Sequence, residues 1–195
     1  MALKPITPED ILAPAEYEKS RGARVKNVIA LRERRRVEVG PWVSCAFENR
    51  ATVLHQVQEM VRIERLTERS AVEHEIETFA DLIPKTGELS LTLFIEIAEE
   101  ELRRKALSSL GGIEKTVTLD VGGEKLPAFD KRPIDPAWER PGQATAVYYL
   151  GFRLPENARR RFLSEDVSLS TAHARYRHSA GLTPEQKTEL AQDWA

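Results

Sequence analysis

The segment from Phe47 to Leu66, FENRATVLHQVQEMVRIERL, is rich in amide and charged side chains that could bind ions or exchange protons. Its asparagine at position 49 and the helical spacing of its apolar residues predict a capped helix over residues 49–66. On a helical wheel the apolar stripe consists of Val53, Leu54, Val57, Met60 and Val61, and the opposite face of His55, Gln58, Glu59 and Arg62. Because side chains three or four residues apart can pair, this polar face is either a solvated surface with local ion pairs or part of a site.

Two charged residues of the same helix, Arg50 and Glu64, fall beside its apolar stripe. A charge in that position must be paired, must reach solvent along its aliphatic stem, or must serve a site. At about 1.5 Å per residue they lie roughly 21 Å apart along the axis, so they cannot pair with each other. We therefore expect both side chains to be at least partly buried and to have partners outside their own helix.

Signals for a metal site are weak. The donor types that zinc or iron prefers occur on this helix and on the next predicted helix, at His55, Glu59, His74 and Glu77. In an antiparallel hairpin the two histidines would be offset by roughly 10 Å along the axes. A second pair, His173 and His178, has no cysteine or acid close by in the sequence. We therefore predict no metal site, and the sequence identifies no cofactor.

Motifs for nucleophilic catalysis and nucleotide binding are also missing, since the sequence has no Gly-x-Ser-x-Gly, P-loop or Gly-x-Gly-x-x-Gly. The single cysteine, Cys45, shares one face of a predicted strand with Val43 and Phe47, which favours a buried and inert thiol. A lone cysteine is compatible with a reducing cytoplasm. The arginine runs at 32–36 and 159–161 lie at predicted helix ends, where solvated arginines are normal.

The elements that would position these residues are helices and strands without regular βαβ alternation. Helices are predicted at 15–36, 49–66, 70–83 and 99–110, in ENARRRFL and at the C-terminus from Thr183. Strands are predicted at 37–47 with a break at Gly40-Pro41, at 88–97, on both sides of Gly122-Gly123, at 144–154 and, last, at VSLS. Residues 130–143 are predicted to be a loop. This pattern predicts one α+β domain over residues 1–195, with a mostly antiparallel sheet flanked by helices.

The charge of the chain is unevenly distributed. The net charge is -2 overall, but residues 1–36 carry +4, residues 37–101 carry -9 and the remainder carries +3. This favours charge matching within the chain or between subunits, hence a homo-oligomer, and makes nucleic-acid binding an unlikely function. No apolar run approaches the length of a membrane span, and MALKPITPED lacks the apolar core of a secretory signal, so we expect a cytoplasmic protein.

Several segments together resemble the bacterial domain-of-unknown-function family 3501: ITPEDIL, EYE at 16–18, RRRVEVGP, FENRATVLHQVQEM and ELSLTLFIEI. The resemblance runs along nearly the whole chain. It implies a shared polar cluster that binds a ligand or a partner, made of Glu48, Asn49, Arg50, Gln56, Gln58, Glu59, Arg62, Glu64 and Arg65. Relatives tend to be encoded near rubrerythrin-like di-iron proteins and iron–sulfur proteins, which implies a redox or oxidative-stress context.

Two functions are therefore expected. The first is a non-enzymatic accessory protein, a cytoplasmic homodimer that works beside an iron or redox protein. The second is an enzyme or small-ligand binder whose anionic ligand is held by an Arg/Glu cluster on helix 49–66, with Arg50, Glu59, Arg62 and Glu64 lining the pocket. A deep pocket would favour the second function, and a flat surface with a large apolar patch would favour the first.

Overall fold

The computed structural model describes residues 4–132 and 142–194. Its helices are α1 (Pro14–Arg34), α2 (Arg50–Ile63), α3 (Arg69–Ala80), α4 (Glu100–Leu107), α5 (Glu156–Arg161) and α6 (Pro184–Ala191). Its strands are β1 (Arg36–Val39), β2 (Val43–Glu48), β3 (Glu88–Ile95), β4 (Val117–Val121), β5 (Glu124–Pro127), β6 (Phe129–Asp130), β7 (Val147–Arg153), β8 (Val167–His173) and β9 (Tyr176–Gly181). Single 3-10 turns lie at Pro8–Asp10, Ile113–Thr116 and Gln192–Trp194. The α+β class is confirmed.

The strands form two sheets in which every pair is antiparallel, whereas the sequence predicted one sheet. Sheet 1 has the order β1-β2-β3-β7-β6, and sheet 2 has the order β5-β4-β8-β9. The apolar face of sheet 1 and that of sheet 2 share one core, to which β3 contributes Leu89, Leu91 and Leu93, all fully buried. Since successive side chains of a strand point to opposite faces, the residues between these leucines face away from that core.

The other face of sheet 1 is covered by helices. In α2, Val53, Val57 and Val61 pack with Ile76 and Phe79 of α3 in a second apolar cluster. Helix α1 lies against α2, although only one of its residues, Tyr17, is buried. Sheet 1 therefore separates an apolar core on one side from a mixed polar and apolar layer on the other, and the polar side chains of the helices are confined to this second layer.

Strand β9 was missed because its sequence has no apolar alternation: Tyr176 is its one buried residue. The Tyr176 hydroxyl donates to the carbonyl oxygen of Val39 at 2.7 Å, and its ring stacks on Trp42 at 5.5 Å. His178 packs so close to Gly40, whose φ is +79°, that a Cβ there would lie 2.5 Å from the imidazole. This histidine therefore packs against the β1–β2 turn and helps to join the two sheets.

Other expectations need smaller corrections. Helix α1 ends at Arg34, two residues before the predicted end, and the chain turns directly into β1. The Gly40-Pro41 break and the Gly122-Gly123 hairpin turn are confirmed. Most of the predicted 130–143 loop lies outside the described residues. Within residues 4–132 and 142–194, none of the helices is both long and apolar enough to cross a bilayer.

Arg35 is fully buried, contrary to the expectation of a solvated arginine run. It lies at the corner between α1 and β1, and its guanidinium donates to the carbonyl oxygens of Phe47 at 2.9 Å and Glu48 at 3.2 Å. It also pairs with Glu189 at 3.3 Å and with Asp193. Burial raises the pKa of Asp193, and Arg35 opposes that rise. The C-terminal turn is therefore tied to the end of β2 through one buried cation.

Replacing Arg35 with methionine should lower the free energy of unfolding by about 3–5 kcal/mol, because it leaves the Asp193 carboxylate buried without its cation. Urea denaturation measures the loss. The matched control is Arg34→Met, since Arg34 is 54% exposed and its pair with Glu189 should contribute less than about 1 kcal/mol. Equal effects of the two substitutions would contradict a structural role for the buried pair.

Cys45 is fully buried on β2, and this burial raises the pKa of its thiol. Cys45→Val should therefore lower the free energy of unfolding by only roughly 1 kcal/mol. Thiol reagents should label the native protein only as fast as it unfolds, because the thiolate is the reactive form. Rapid labelling of the folded protein would contradict an inert thiol.

Candidate functional site

A cleft of about 370 Å³ lies between sheet 1 and helices α1 and α2, on the side of the sheet that faces away from the main core. Its floor is the apolar part of the sheet surface, Ala46, Phe94, Val147 and Tyr149. The helices supply a mostly polar wall, made of Arg32, His55, Gln56, Glu59 and Met60. Three polar residues of the strands complete the lining: Arg36, Glu48 and Thr92. The volume falls within the range of small-molecule sites.

Glu59 accepts hydrogen bonds from three side chains and joins α1 to α2. Arg21 donates to both carboxylate oxygens at 2.9 Å, the Tyr17 hydroxyl donates at 2.7 Å and Arg62 donates at 3.2 Å. These contacts, led by Arg21, lower the pKa of Glu59 to about 2. The solvated-surface alternative for the polar face of α2 is therefore wrong, because α1 covers that face and its carboxylate is fully paired.

Gln58 fixes the segment that leads into α1. Its side-chain oxygen accepts from the Leu12 amide at 2.8 Å, and its side-chain nitrogen donates to the Leu12 carbonyl oxygen at 3.0 Å. The two bonds satisfy the polar backbone groups of one residue at once. The side chain is buried for this reason, and it supports the wall of the cleft without lining it.

Glu48 places a buried carboxylate at the end of β2. Its two oxygens accept from the hydroxyls of Thr52 at 2.5 Å and Thr92 at 2.7 Å, and the residue is 4% exposed. In the described part of the chain, no Lys, Arg or His nitrogen lies within 4.0 Å of this carboxylate. The hydroxyls orient it but do not neutralise it.

Arg32 and Arg36 both line the cleft but differ in their partners. Arg36 contacts Glu38 at 2.7 Å and also pairs with Glu96, so its charge is matched. Within residues 4–132 and 142–194, Arg32 has no carboxylate within 4.0 Å. Its charge acts on His55 instead: burial and then Arg32 lower the pKa of that imidazole. The cleft therefore holds an unmatched cation beside a histidine that is neutral at pH 7.

The predicted polar cluster is divided among several places. Glu48, Gln56 and Glu59 line the cleft. Asn49 caps α2 by accepting from the amides of residues 51 and 52, and Arg62 pairs with Glu59 and Glu18. Arg65 is exposed, with a φ of 56°. Six of the nine residues of the cluster therefore stabilise the fold around the cleft or lie in solvent.

The expectation for Arg50 and Glu64 was half right. Arg50 is partly buried and finds partners in the N-terminal segment, Asp10 at 2.6 Å and the carbonyl oxygen of Lys4 at 2.8 Å. Glu64 is exposed and is the C-cap residue of α2, directly after the end of the helix at Ile63. Neither residue lines the cleft, which shares only Glu59 with the four residues predicted to line a pocket.

Sequence reasoning missed Arg32, Thr92 and Tyr149 as cleft residues. Thr92 had a readable signal, since it interrupts the leucines of β3 and must face the opposite side of the sheet. Arg32 belongs to a run whose members proved to have different environments, and nothing in their spacing separates them. Tyr149 belongs to β7, which the sequence could not place beside β3.

The fold and the cleft define an α+β protein with two antiparallel sheets and a small-molecule-sized site under its helical layer. The sequence model of a family described as a protein of unknown function, DUF3501, matches residues 5–194. The chain belongs to this family. It is also similar to a crystal structure of a novel protein of unknown function from Burkholderia pseudomallei K96243, with 29% identity, a TM-score of 0.89 and coverage of 98% of this chain and 100% of that one. A search of curated proteins found no match.

The residues proposed for metal binding do not come together. Among the described residues, no three His, Cys, Asp or Glu side chains form a group that could hold a metal ion. His55 instead contacts Tyr17, with 3.4 Å between Nδ1 and the hydroxyl oxygen, and His74 is exposed.

The paired state of Glu59 predicts a pH-dependent contribution to stability. Its pKa is about 2 in the folded protein against an ordinary 4.5, so the unfolded chain binds the proton more tightly. The stabilisation is therefore fully present above about pH 4.5 and is lost as the pH falls towards 2. Glu59→Gln should lower the free energy of unfolding by roughly 2 kcal/mol at pH 7 and by much less at pH 2.5.

Denaturation of the wild type and the variant at both pH values measures this difference. Glu64→Gln is the control, because Glu64 lies on the same polypeptide segment but is exposed. A Glu59→Gln loss that is the same at pH 7 and pH 2.5 would contradict a charge-dependent network.

Proposed function

We propose that this protein binds a small organic anion with an apolar body in the cleft between sheet 1 and α2. Arg32 supports the proposal most directly: it lines the cleft, and in the described chain it has no carboxylate partner. An arginine in that state offers a planar set of donors that suits a carboxylate or phosphate. This is the small-ligand alternative of the sequence analysis, with a different set of residues.

The floor of the cleft supports an apolar body for the ligand. Ala46, Phe94, Val147 and Tyr149 present aliphatic and aromatic surface from three adjacent strands. Burying such a surface contributes about 25 cal/mol per Å², so a ring or branched chain on the ligand would add affinity beyond that of its charged group. The charges of two other cleft residues also favour an apolar body for the ligand, because Arg36 and Glu59 already have partners within the protein.

Binding of 3-phenylpropanoate tests the proposal. Its carboxylate should contact Arg32 and its ring the sheet floor, so Arg32→Gln should weaken binding about 10- to 100-fold, as expected for a charged hydrogen bond. Calorimetry or ligand-detected NMR measures the affinity at pH 7.5. The matched control is Arg24→Gln on the same helix, where Arg24 is exposed and donates to Ser20.

Binding that is equally strong in Arg32→Gln and in the wild type would show that the anion is held elsewhere. Equal losses in the Arg32 and Arg24 variants would indicate a general electrostatic effect of α1. Either result contradicts the proposed site.

The accessory role implied by the family resemblance, as a cytoplasmic homodimer beside an iron or redox protein, stays a prediction. In the described chain, four large apolar side chains are exposed by more than a third: Ile29, Ile63, Leu102 and Leu163. They come from four separate parts of the sequence. The cleft gives the small-ligand function a specific set of contacts, whereas the redox context rests on the resemblance.

A further inference from the structure

Glu48 brings a carboxylate into the cleft, and within residues 4–132 and 142–194 no cation lies within 4.0 Å of it. The guanidinium of Arg35 bonds to the backbone oxygen of Glu48 and pairs its own charge with Asp193 and Glu189. A carboxylate has about four acceptor positions, and the two threonine hydroxyls occupy one on each oxygen. The remaining positions can accept from a donor in the cleft, and a positive donor would offset the cost of burying the charge.

His55 offers a second acceptor, its Nε2 atom. The neighbours of the ring place the proton on the other nitrogen, Nδ1. The Tyr17 hydroxyl has a single hydrogen and donates it to Glu59, whose pKa of about 2 keeps it a pure acceptor. The phenol keeps that hydrogen, since burial and then Glu59 raise the pKa of Tyr17 to about 12. The Tyr17 oxygen can therefore only accept from the Nδ1 of His55, 3.4 Å away.

A neutral imidazole that is protonated on Nδ1 has its lone pair on Nε2. No hydrogen bond within the described residues reaches Nε2, and the atom is not among their buried unpaired atoms. The charged groups around the ring are Arg32 and Arg21 of α1 and Glu59 of α2, with Arg32 acting most strongly after burial. The ring therefore stays neutral at pH 7 and presents an acceptor to the cleft that it lines.

We propose that the ligand is a zwitterion, an α-amino acid with an apolar side chain, whose ammonium group is bound by Glu48 and Nε2 of His55 while Arg32 binds its carboxylate. This inference rests on the proposed function and specifies its ligand class. One cation, two acceptors and an apolar floor in a single cleft match the three parts of such a molecule. Tyr17 and Glu59 are positioning residues, since they act through the imidazole.

Comparison of L-phenylalanine with 3-phenylpropanoate tests this assignment, because the two differ only by the ammonium group. L-Phenylalanine should bind about 10- to 100-fold more tightly to the wild type at pH 7.5, since its ammonium makes a charge-assisted contact. Glu48→Gln should remove most of that preference. Glu64→Gln is the control, because Glu64 is an exposed residue outside the cleft.

The side-chain nitrogen chemical shifts of His55 test the positioning residues without any ligand. Long-range proton–nitrogen NMR measures these shifts, and the His55→Gln variant assigns them. We expect a protonated Nδ1 and an unprotonated Nε2 in the wild type at pH 7.5. Tyr17→Phe should shift the ring towards a mixture of tautomers. A wild-type ring protonated on Nε2 would overturn the role of His55 even if the tyrosine variant does not fold.

The outcomes separate this inference from the proposed function. If 3-phenylpropanoate binds through Arg32 as tightly as L-phenylalanine does, the site takes an anion and the zwitterion assignment is wrong. If neither compound binds, both the amino-acid ligand and the proposed anion site are wrong. If Glu48→Gln does not fold, the wild-type ratio of the two affinities still decides the ligand class.

Discussion

The contact between Glu59 and the first turns of α1 is the interaction on which the cleft depends. Helix α1 has one buried residue, Tyr17, so the hydrophobic effect alone holds it weakly. Tyr17 and Arg21 both donate hydrogen bonds to the Glu59 carboxylate, and these hydrogen bonds place α1 over α2. The far end of the helix carries Arg32 to the cleft. The last turn of α1, which carries Arg32, is also held by the buried Arg35 next to it, so the helix is fixed to the rest of the fold at both ends.

The same contact links the architecture to the chemistry of His55. A carboxylate that is held ionised by two arginines forces the tyrosine to act as its donor, and the tyrosine then determines the histidine tautomer. One polar network therefore fastens a helix and orients an acceptor. A second arginine, Arg62, also donates to Glu59, although its Nε is buried without a partner among the described residues.

The sequence predicted features that depend on local pattern and failed where one element covers another. Strand β3 and the buried Cys45 followed from alternation, and α2 followed from its cap and its valines. The polar face of α2 was left open between a solvated surface and a site, because no sequence rule says which helix packs onto it. Arg35 and Arg32 are three residues apart in one arginine run, yet one is buried in an ion pair and the other lines a cleft. Glu48 was identified through the resemblance, but Thr92 and Tyr149 required the order of strands in sheet 1.

Part of the charge of the chain is paired within one subunit. Ion pairs between the first 36 residues and the acidic middle run in both directions, from Arg21 to Glu59, from Arg50 to Asp10 and from Arg62 to Glu18. The basic corner at Arg34 and Arg35 is matched by acids of the C-terminal segment. The homo-oligomer that the charge distribution favours stays a prediction. Among the described residues, Arg32 and Glu48 are a cation and an anion that line the same cleft without an oppositely charged side chain within 4.0 Å, and the proposed ligand, which carries both charges, would pair with each of them.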